Sequence, residues 1–180
     1  MVKVITPPTA EPVTVDDFKS WMQGLPISSD REPMVNNLLK AGREEAEAYQ
    51  NVAYCEQTLQ IAPDDLSGAI VLPRPPFREL KSVTAYLADG TQQDVTTLYD
   101  VNDNVWPAEL NLKDGAALPG PLCTVNPLTI TYTAGYDAVP ETVKQAILLY
   151  ATWSWMHRGG DEPVPKAFYA LLSKGRVIPV

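Results

Sequence analysis

The sequence predicts an α+β protein, a small helical bundle that carries a β-rich insertion. Apolar residues recur at helical spacing near both ends of the chain, whereas residues 57–133 break into short strand-like runs separated by turn residues. These helical and strand-like segments do not alternate, which argues against repeated βαβ units. With 180 residues, the chain is long enough for one domain, or for one domain with an elaboration.

Two helices are predicted in the first 51 residues. Thr14 and Asp17 have the spacing of a capping box, and the helix that they start ends near Gly24 or Pro26. Its apolar stripe comprises Val15, Phe18, Trp21 and Met22. The second helix begins around residues 29–33 and ends near Asn51. Its apolar stripe is Val35, Leu38, Leu39, Gly42, Ala46 and Tyr49, and outside that seam fall Lys40, Arg43, Glu44, Glu45 and Glu47.

The middle of the chain is predicted to form short strands. Asp89 and Gly90 lie between two of them and are the best hairpin turn in the sequence, because both tolerate the positive φ that a type I′ turn demands. The predicted strands cover residues 57–61, 69–72, 80–87, 92–95, 99–101 and 110–112.

The segment from Leu128 to Gly160 predicts one strand, a turn at Gly135 and one long helix. The strand alternates apolar residues with threonines, Pro140 is placed at the first helical position, and Gly159 and Gly160 end the helix. Residues 147–156 are apolar on nearly every side, so this helix is either wholly buried or shared between subunits. A short helix over residues 165–173 and an extended tail over residues 175–180 follow.

Composition excludes several classes of function. The net charge of −8 and the pI near 4.6 argue against general affinity for nucleic acid or for an anionic membrane. No apolar run approaches the ~18 residues of a membrane span, and the N-terminus lacks the apolar core of a secretion signal. Cys55 and Cys123 lack metal-ligand spacing, so two buried free thiols are favoured over a disulfide.

The sequence contains no clear catalytic or metal-binding constellation, and we expect no cofactor. The single histidine, His157, lies at a predicted helix end, where capping explains it. Residues 100–104 resemble the start of a calcium loop, but Val105 stands where glycine is required, so a solvated hairpin tip is favoured. The acid pairs are best explained as surface charge; they are Asp16 with Asp17, Asp64 with Asp65, and Asp161 with Glu162.

Aromatic residues cluster at the end of the long helix. Trp153, Trp155 and Met156 lie beside Arg158 in a chain too acidic to favour nucleobase stacking. The two tryptophans are about 200° apart around the helix, so they face different neighbours. Tryptophan and arginine are enriched at protein–protein interfaces, which favours an interface over core packing and leaves open which tryptophan contacts what.

Four segments, in this order, resemble the head–tail connector proteins of long-tailed bacteriophages, the head-completion or adaptor family. They are PVTVDDFKSWM at Pro12–Met22, LLKAGREEAEAYQN at Leu38–Asn51, VLPRPPFRELKSVTAYLADGT at Val71–Thr91 and ITYTAGYDAVPETVKQAILLYATWSWMHR at Ile130–Arg158. Together they cover most of the chain. The chain differs from the simplest members of that family by its larger insertion.

The resemblance implies a structural virion protein rather than an enzyme. Family members form a ring, usually of twelve copies, under the portal protein at the head–tail junction after assembly in the host cytoplasm. The ring extends the DNA channel without binding DNA specifically and offers a platform to the stopper or tail-completion proteins. The implied domains are a helical connector domain, residues 1–56 and 134–180, and a β-rich insertion, residues 57–133.

Candidate contact residues accompany this interpretation. The subunit-interface candidates are Tyr150, Trp153, Trp155, Met156 and Arg158, and the portal-contact candidates in the extended tail are Arg176, Val177 and Ile178. The alternative function is a monomeric accessory binding module that uses the β-rich block as its recognition surface. A third hypothesis is an enzyme with an unrecognised acid pair.

Overall fold

The computed structural model describes residues 2–24, 26–63, 65–157, 160 and 162–177, and its fold class is α+β, as the sequence predicts. The helices are α1 (Val15–Trp21), α2 (Glu32–Gln50), α3 (Glu141–Met156) and α4 (Lys166–Leu172). The strands are β1 (Val2–Thr6), β2 (Gln57–Ile61), β3 (Ile70–Val71), β4 (Phe77–Tyr86), β5 (Gln92–Asp94), β6 (Tyr99–Asn102), β7 (Glu109–Leu112) and β8 (Leu128–Ala134). Single 3₁₀ turns cover Ser29–Arg31, Thr96–Leu98 and Ser173–Gly175.

The chain divides into two compact units, and each is discontinuous in sequence. The β unit consists of Met1–Pro8 and Glu56–Tyr136, and the helical unit consists of Thr9–Cys55 and Asp137–Val180. The N-terminal strand therefore belongs to the β unit although the two helices that follow it do not.

The β unit contains two antiparallel sheets. The larger sheet has the strand order β1-β2-β8-β4-β5, and the smaller has the order β3-β7-β6. In β2, and in β8 as far as Tyr132, every second side chain is buried, and Leu59 lies opposite Tyr132 while Ile61 lies opposite Ile130. Thr133 departs from this alternation, because it is buried as well. This alternation is the signal that the sequence carries, and it fixes the register because a slip by one residue would turn the apolar side chains away from the core.

The β4–β5 hairpin is present, but its turn is not the type I′ turn that the sequence predicts. Gly90 N–H donates to Leu87 O (2.9 Å), Leu87 N–H donates to Thr91 O (2.9 Å), and Gly90 has a φ of +86°. Asp89 is not among the residues with positive φ. The loop is thus one residue longer than a type I′ turn, with glycine alone in the left-handed position that ends a three-residue hairpin loop.

The helical unit is organised around a close crossing of α2 and α3. A Cβ atom on Gly42 would lie 3.2 Å from Tyr150 Cδ1 and 3.3 Å from Ile147 O, so the absence of a side chain allows the two helices to approach. The centre of this unit is formed by fully buried side chains from α1, α2, α3 and α4, which are Phe18, Val35, Leu39, Ala46, Ile147, Phe168 and Leu172.

Two charged residues of α2 are buried, contrary to their predicted position outside the seam. Arg43 is 2% exposed, and its guanidinium contacts Glu47 (2.7 Å) one turn away and Glu11 (2.7 and 3.2 Å) in the segment before α1. Glu47 in turn accepts a hydrogen bond from Tyr54 N–H (2.8 Å). The burial of these charges is tolerated because each is paired and hydrogen-bonded, and the network joins α2 to the chain on either side of it.

The ends of α3 differ slightly from the predicted ones. Pro140 is the N-cap with an extended backbone, so the first helical residue is Glu141. His157 is the C-cap, and its N–H donates to Trp153 O (2.9 Å). Gly159, a predicted stop, lies outside the described residues.

Candidate subunit interface

Three neighbouring helices cover one side of α3 within the helical unit. Its buried side chains are Val143, Ala146, Ile147, Leu148 and Ala151. Helix α2 approaches at Gly42, α1 contacts Thr152 through Trp21, and α4 contacts Tyr150 through Phe168. The chain itself therefore covers this side of α3, and the aromatic cluster of the last two turns is only half-buried.

The two tryptophans of α3 have different neighbours, as their spacing predicts. Trp155 packs edge-to-face on the buried ring of Phe18 in α1, with a centroid distance of 6.3 Å. Trp153 stacks on His157 (6.2 Å) and lies 5.7 Å from Tyr150. The Nε1 atom of Trp153 is buried and has no hydrogen-bond partner among the described residues. Both indoles are half-buried, so each contributes to the fold of its own copy and still presents surface.

Met156 is the most exposed of the subunit-interface candidates that the structure describes. Its side chain is 63% exposed, whereas Tyr150, Trp153 and Trp155 are half-buried. Met156 lies one turn after Thr152, on the side of α3 that faces α1. The remaining candidate, Arg158, lies outside the described residues.

A groove runs between α1 and α3 along this same side. Its volume is about 360 Å³, and it is lined by Pro12, Val13, Asp17, Ser20, Trp21, Glu141, Lys144, Gln145 and Leu148. The indole of Trp21 forms one wall and is 44% exposed. Its Nε1 donates to Thr152 Oγ1 (3.1 Å), which fixes the ring beside α3.

The charged residues at the rim of this groove are paired within the chain. Asp17 accepts hydrogen bonds from Thr14 N–H (2.8 Å) and Thr14 Oγ1 (2.7 Å), which confirms the predicted capping box. Those hydrogen bonds, the backbone one first, hold the pKa of Asp17 below its usual value. Lys144 Nζ contacts Glu141 Oε1 at 2.6 Å. The groove is thus lined by apolar side chains, which are Pro12, Val13, Trp21 and Leu148, and by polar ones whose charges are partly paired within the chain.

The described part of the C-terminal tail lies on α2 of its own copy. Val177 N–H donates to Gln50 O (2.8 Å), and the Arg176 guanidinium lies 5.1 Å from the centroid of the Tyr49 ring. Gln50 also donates through Nε2 to Leu172 O. Two portal-contact candidates, Arg176 and Val177, are thus anchored at the end of α2, and the third, Ile178, lies outside the described residues.

The β unit presents an apolar surface that sequence reasoning missed. Val71, Val105 and Trp106 are exposed, and Trp106 is exposed over 56% of its surface. They lie at one end of the smaller sheet, where Val71 pairs with Glu109 and residues 103–108 connect β6 to β7. We call Val71, Val105 and Trp106 the β-tip. Its sequence signal is a tryptophan within an acidic, asparagine-rich turn, a position where no core packing is expected.

The residues considered for catalysis or metal binding have structural roles at a helix end and in a turn. His157 Nδ1 lies 2.9 Å from Trp153 O, and its Nε2 lies 3.0 Å from Glu162, which fits the predicted role at the helix end. Asn102 Oδ1 accepts a hydrogen bond from Asn104 N–H (3.3 Å) within the β6–β7 hairpin, as expected of a turn. Asp64 and Asp161 lie outside the described residues.

The described residues contain neither a cluster of metal-ligating side chains nor a membrane-spanning helix. No three metal-ligating side chains of histidine, cysteine, aspartate or glutamate come together in that part of the chain. Within it, no helix has the length and apolar character needed to cross a membrane. Cys55 and Cys123 are free and half-buried, and burial raises the pKa of the Cys55 thiol to about 11.

The fold is shared with chains found in gene transfer agent particles. The whole chain superposes on a chain in the virion of the native gene transfer agent (GTA) particle, with a TM-score of 0.79, 19% sequence identity and 97% of that chain covered. It also matches over its full length a chain of the native GTA neck computed with C12 symmetry (TM-score 0.77, 20% identity) and one of the empty GTA neck computed with C6 symmetry (0.76, 19%), again covering 97% of each. At this identity the likeness establishes a shared fold. No protein-family model and no curated protein sequence matches the chain.

Proposed function

We propose that this protein is a structural subunit of the neck of a phage-like particle, a head–tail connector that assembles as a ring under the portal protein. The observation that carries the proposal is the fold shared over the entire chain with chains of the GTA virion and neck. The match includes both the helical and the β unit, so it does not depend on one common supersecondary motif. The twelvefold and sixfold symmetry of the GTA necks supports a ring as the assembled form.

The charge of the chain suits a protein that surrounds DNA without holding it. Each copy carries a net charge of −8, so a ring of twelve copies would present a strongly acidic assembly to the phosphate backbone. Charges of like sign repel within about 8 Å at physiological ionic strength. DNA would therefore pass through the lumen without adhering to the wall. The stopper or tail-completion proteins would dock on the side of the ring away from the portal.

A mass measurement combined with a portal-binding assay tests this proposal. The purified chain should form a ring by itself or on addition of the portal protein of the same particle, and negative-stain images of the mixture should show added density on one face of the portal. A chain that stays monomeric in both conditions and fails to bind portal would contradict the proposal. It would then favour the alternative, a monomeric accessory module that binds through its β unit.

The last turns of α3 are the proposed subunit contact in the helical unit. Met156→Ala removes an exposed side chain, so it should weaken the oligomer and leave the unfolding midpoint unchanged. Trp155→Ala also removes a contact with Phe18, so it should lower both the stability of the oligomer and the unfolding midpoint. The loss of stability would be on the order of 3–5 kcal/mol if the indole is largely buried in the assembly. A Met156→Ala protein with unchanged oligomer mass at dilute concentrations would exclude this face.

The C-terminal tail is the proposed portal contact, and the structure allows two parts of it to be tested separately. Removal of residues 178–180 leaves the anchors of Arg176 and Val177 on α2 in place, so only portal binding should fall. Arg176→Ala removes the contact with Tyr49 and should loosen the anchored part of the tail. Portal binding unaffected by either change would rule out the tail as the contact.

A further inference from the structure

We propose that the β-tip of one copy inserts into the α1–α3 groove of the next copy and that this contact joins neighbouring subunits of the ring. The inference rests on the proposed ring and specifies which two surfaces meet in it. It also assigns a role to Trp106 and Trp21, the two tryptophans that are not part of the aromatic cluster at the end of α3.

The β-tip has the properties of an insertion element. Trp106 and Val105 protrude at the connection between two paired strands, and Val71 is exposed on the adjoining strand. The backbone beneath them is held by Leu72 N–H, which donates to Ala108 O (2.8 Å), and the Trp106 ring rests against Tyr136 at a centroid distance of 6.5 Å. The exposed indole is thus positioned in advance, which reduces the entropy that binding would cost. A preformed exposed tryptophan is a typical interface anchor.

The groove has the properties of a receiving site. Leu148 and Val13 are buried at its base, and the exposed Trp21 indole stands at its side. The hydrogen bond from Trp21 Nε1 to Thr152 holds that wall in place. A concave site with apolar side chains at its base and wall, and with paired charges at its rim, is one in which a partner's aromatic side chain gains from burial. The volume of about 360 Å³ accommodates an indole together with part of Val105.

Symmetry explains why two unlike surfaces are needed. In a cyclic ring of twelve or six copies, each subunit contacts its two neighbours through different patches, so the contact is heterologous. An isologous dimer would instead need one self-complementary patch. This chain carries a convex apolar element in its β unit and a concave one in its helical unit, which is the pair that a head-to-tail contact requires.

The charges around the two surfaces predict the salt dependence of assembly. Asp103 and Glu109 flank the exposed side chains of the β-tip, and Asp17, Glu141 and Lys144 surround the groove. Both sides are net acidic, so the association must come from apolar burial and is opposed by charge repulsion. Raising the salt concentration screens that repulsion, and the ring should therefore become more stable with added salt.

Substitution tests the contribution of the β-tip. Trp106→Ala should weaken association by at least tenfold, and Trp21→Ala should have a similar effect, as measured by sedimentation velocity or native mass over a concentration series with portal protein where the ring requires it. Val125→Ala, also in the β unit and 75% exposed, is the matched control and should leave association unchanged. Because Trp106 and Val125 are both exposed, neither change should alter the unfolding midpoint.

Directed cross-linking tests the pairing itself. In a Cys55→Ser, Cys123→Ser background, one protein carries Val105→Cys at the β-tip and the other carries Gln145→Cys at the groove. Mixing the two should give cross-linked dimers, whereas each alone should give none, and a chain with both changes should give a ladder of oligomers. Gln93→Cys on the edge strand β5, mixed with Gln145→Cys, is the control and should not cross-link.

The outcomes separate this inference from the proposed ring. Rings that form with Trp106→Ala as readily as with the native chain, without a mixed cross-link, would overturn the inference and leave the connector function standing. Efficient cross-linking of Val105→Cys with itself would overturn it as well, because the contact would be isologous. A native chain that is monomeric with and without portal would contradict both.

Discussion

Replacement of Arg43 by alanine should destabilise the helical unit more than any removal of a surface charge. The change leaves Glu47, which is 3% exposed, without the guanidinium that lies 2.7 Å from it, and it also removes the two contacts to Glu11. Removing one partner of a buried ion pair costs about 3–5 kcal/mol, because the other charge stays desolvated. Helix α2 provides a matched control at the same i,i+4 spacing: Lys40 and Glu44 lie 4.0 Å apart and are more than half exposed.

The expected loss of stability is large enough to separate the two substitutions. Lys40→Ala should cost less than about 1 kcal/mol, since exposed pairs contribute little. For a protein of this size, about 3–5 kcal/mol lowers the unfolding midpoint by about 6–20 °C, so Arg43→Ala should melt well below the native chain. Tryptophan fluorescence follows the transition, because Trp21, Trp153 and Trp155 belong to the helical unit. Equal midpoints for Arg43→Ala and Lys40→Ala would refute the claim that the buried pair supports this unit.

Three further changes test other parts of the structure. Gly42→Val places a branched side chain against Tyr150 and should cost about 1–3 kcal/mol by thermal unfolding; a more stable variant would contradict the close helix crossing. Cys55, with its pKa raised to about 11, should have about 100-fold less thiolate at pH 8 than a thiol of ordinary pKa and react correspondingly slowly with a disulfide reagent in a Cys123→Ser chain. Thr14→Ala removes the capping box and should cost about 1 kcal/mol. The pKa of Asp17 is depressed in the folded state, so the stability that it contributes is present above its unfolded pKa and lost as the pH falls through the folded value; in Thr14→Ala this acid-dependent loss should shrink.

Local sequence patterns predicted most of the helices and strands, because the spacing of apolar residues within each of them indicates its type. The alternation over most of β8 and the helical stripe of α2 appear both in the sequence and in the burial of residues such as Ile130 and Leu39. Strand β1 was missed, since its partner β2 lies more than fifty residues away and its side chains are mostly exposed, so neither pairing nor burial leaves a local trace. The sequence also identified Gly42 as part of the stripe, but only the structure shows that α3 approaches there.

The candidate site was less predictable because it depends on which surfaces stay uncovered. Trp21 belongs to an apolar stripe and would be expected in the core, yet the short helix α1 leaves part of its indole outside. Arg43 lies at the margin of its stripe, and its burial follows from Glu11, which reaches it from another segment. The period of apolar residues indicates which face of its helix or strand a side chain lies on. It does not indicate which other segment of the chain covers that face.

The discontinuity of the two units has a consequence for how the protein is made. A ribosome releases β1 first, but β2 cannot pair with it until the residues of α1 and α2 have emerged, and the larger sheet is complete only after β8 at residue 134. The helical unit closes later still, because α3 and α4 follow β8 in the chain. The β unit can therefore complete its larger sheet while α3 and α4 are still being made, whereas the helical unit has to wait for both helices. The groove between α1 and α3 then becomes available later than the β-tip, so a copy without α3 cannot receive the β-tip of a neighbour.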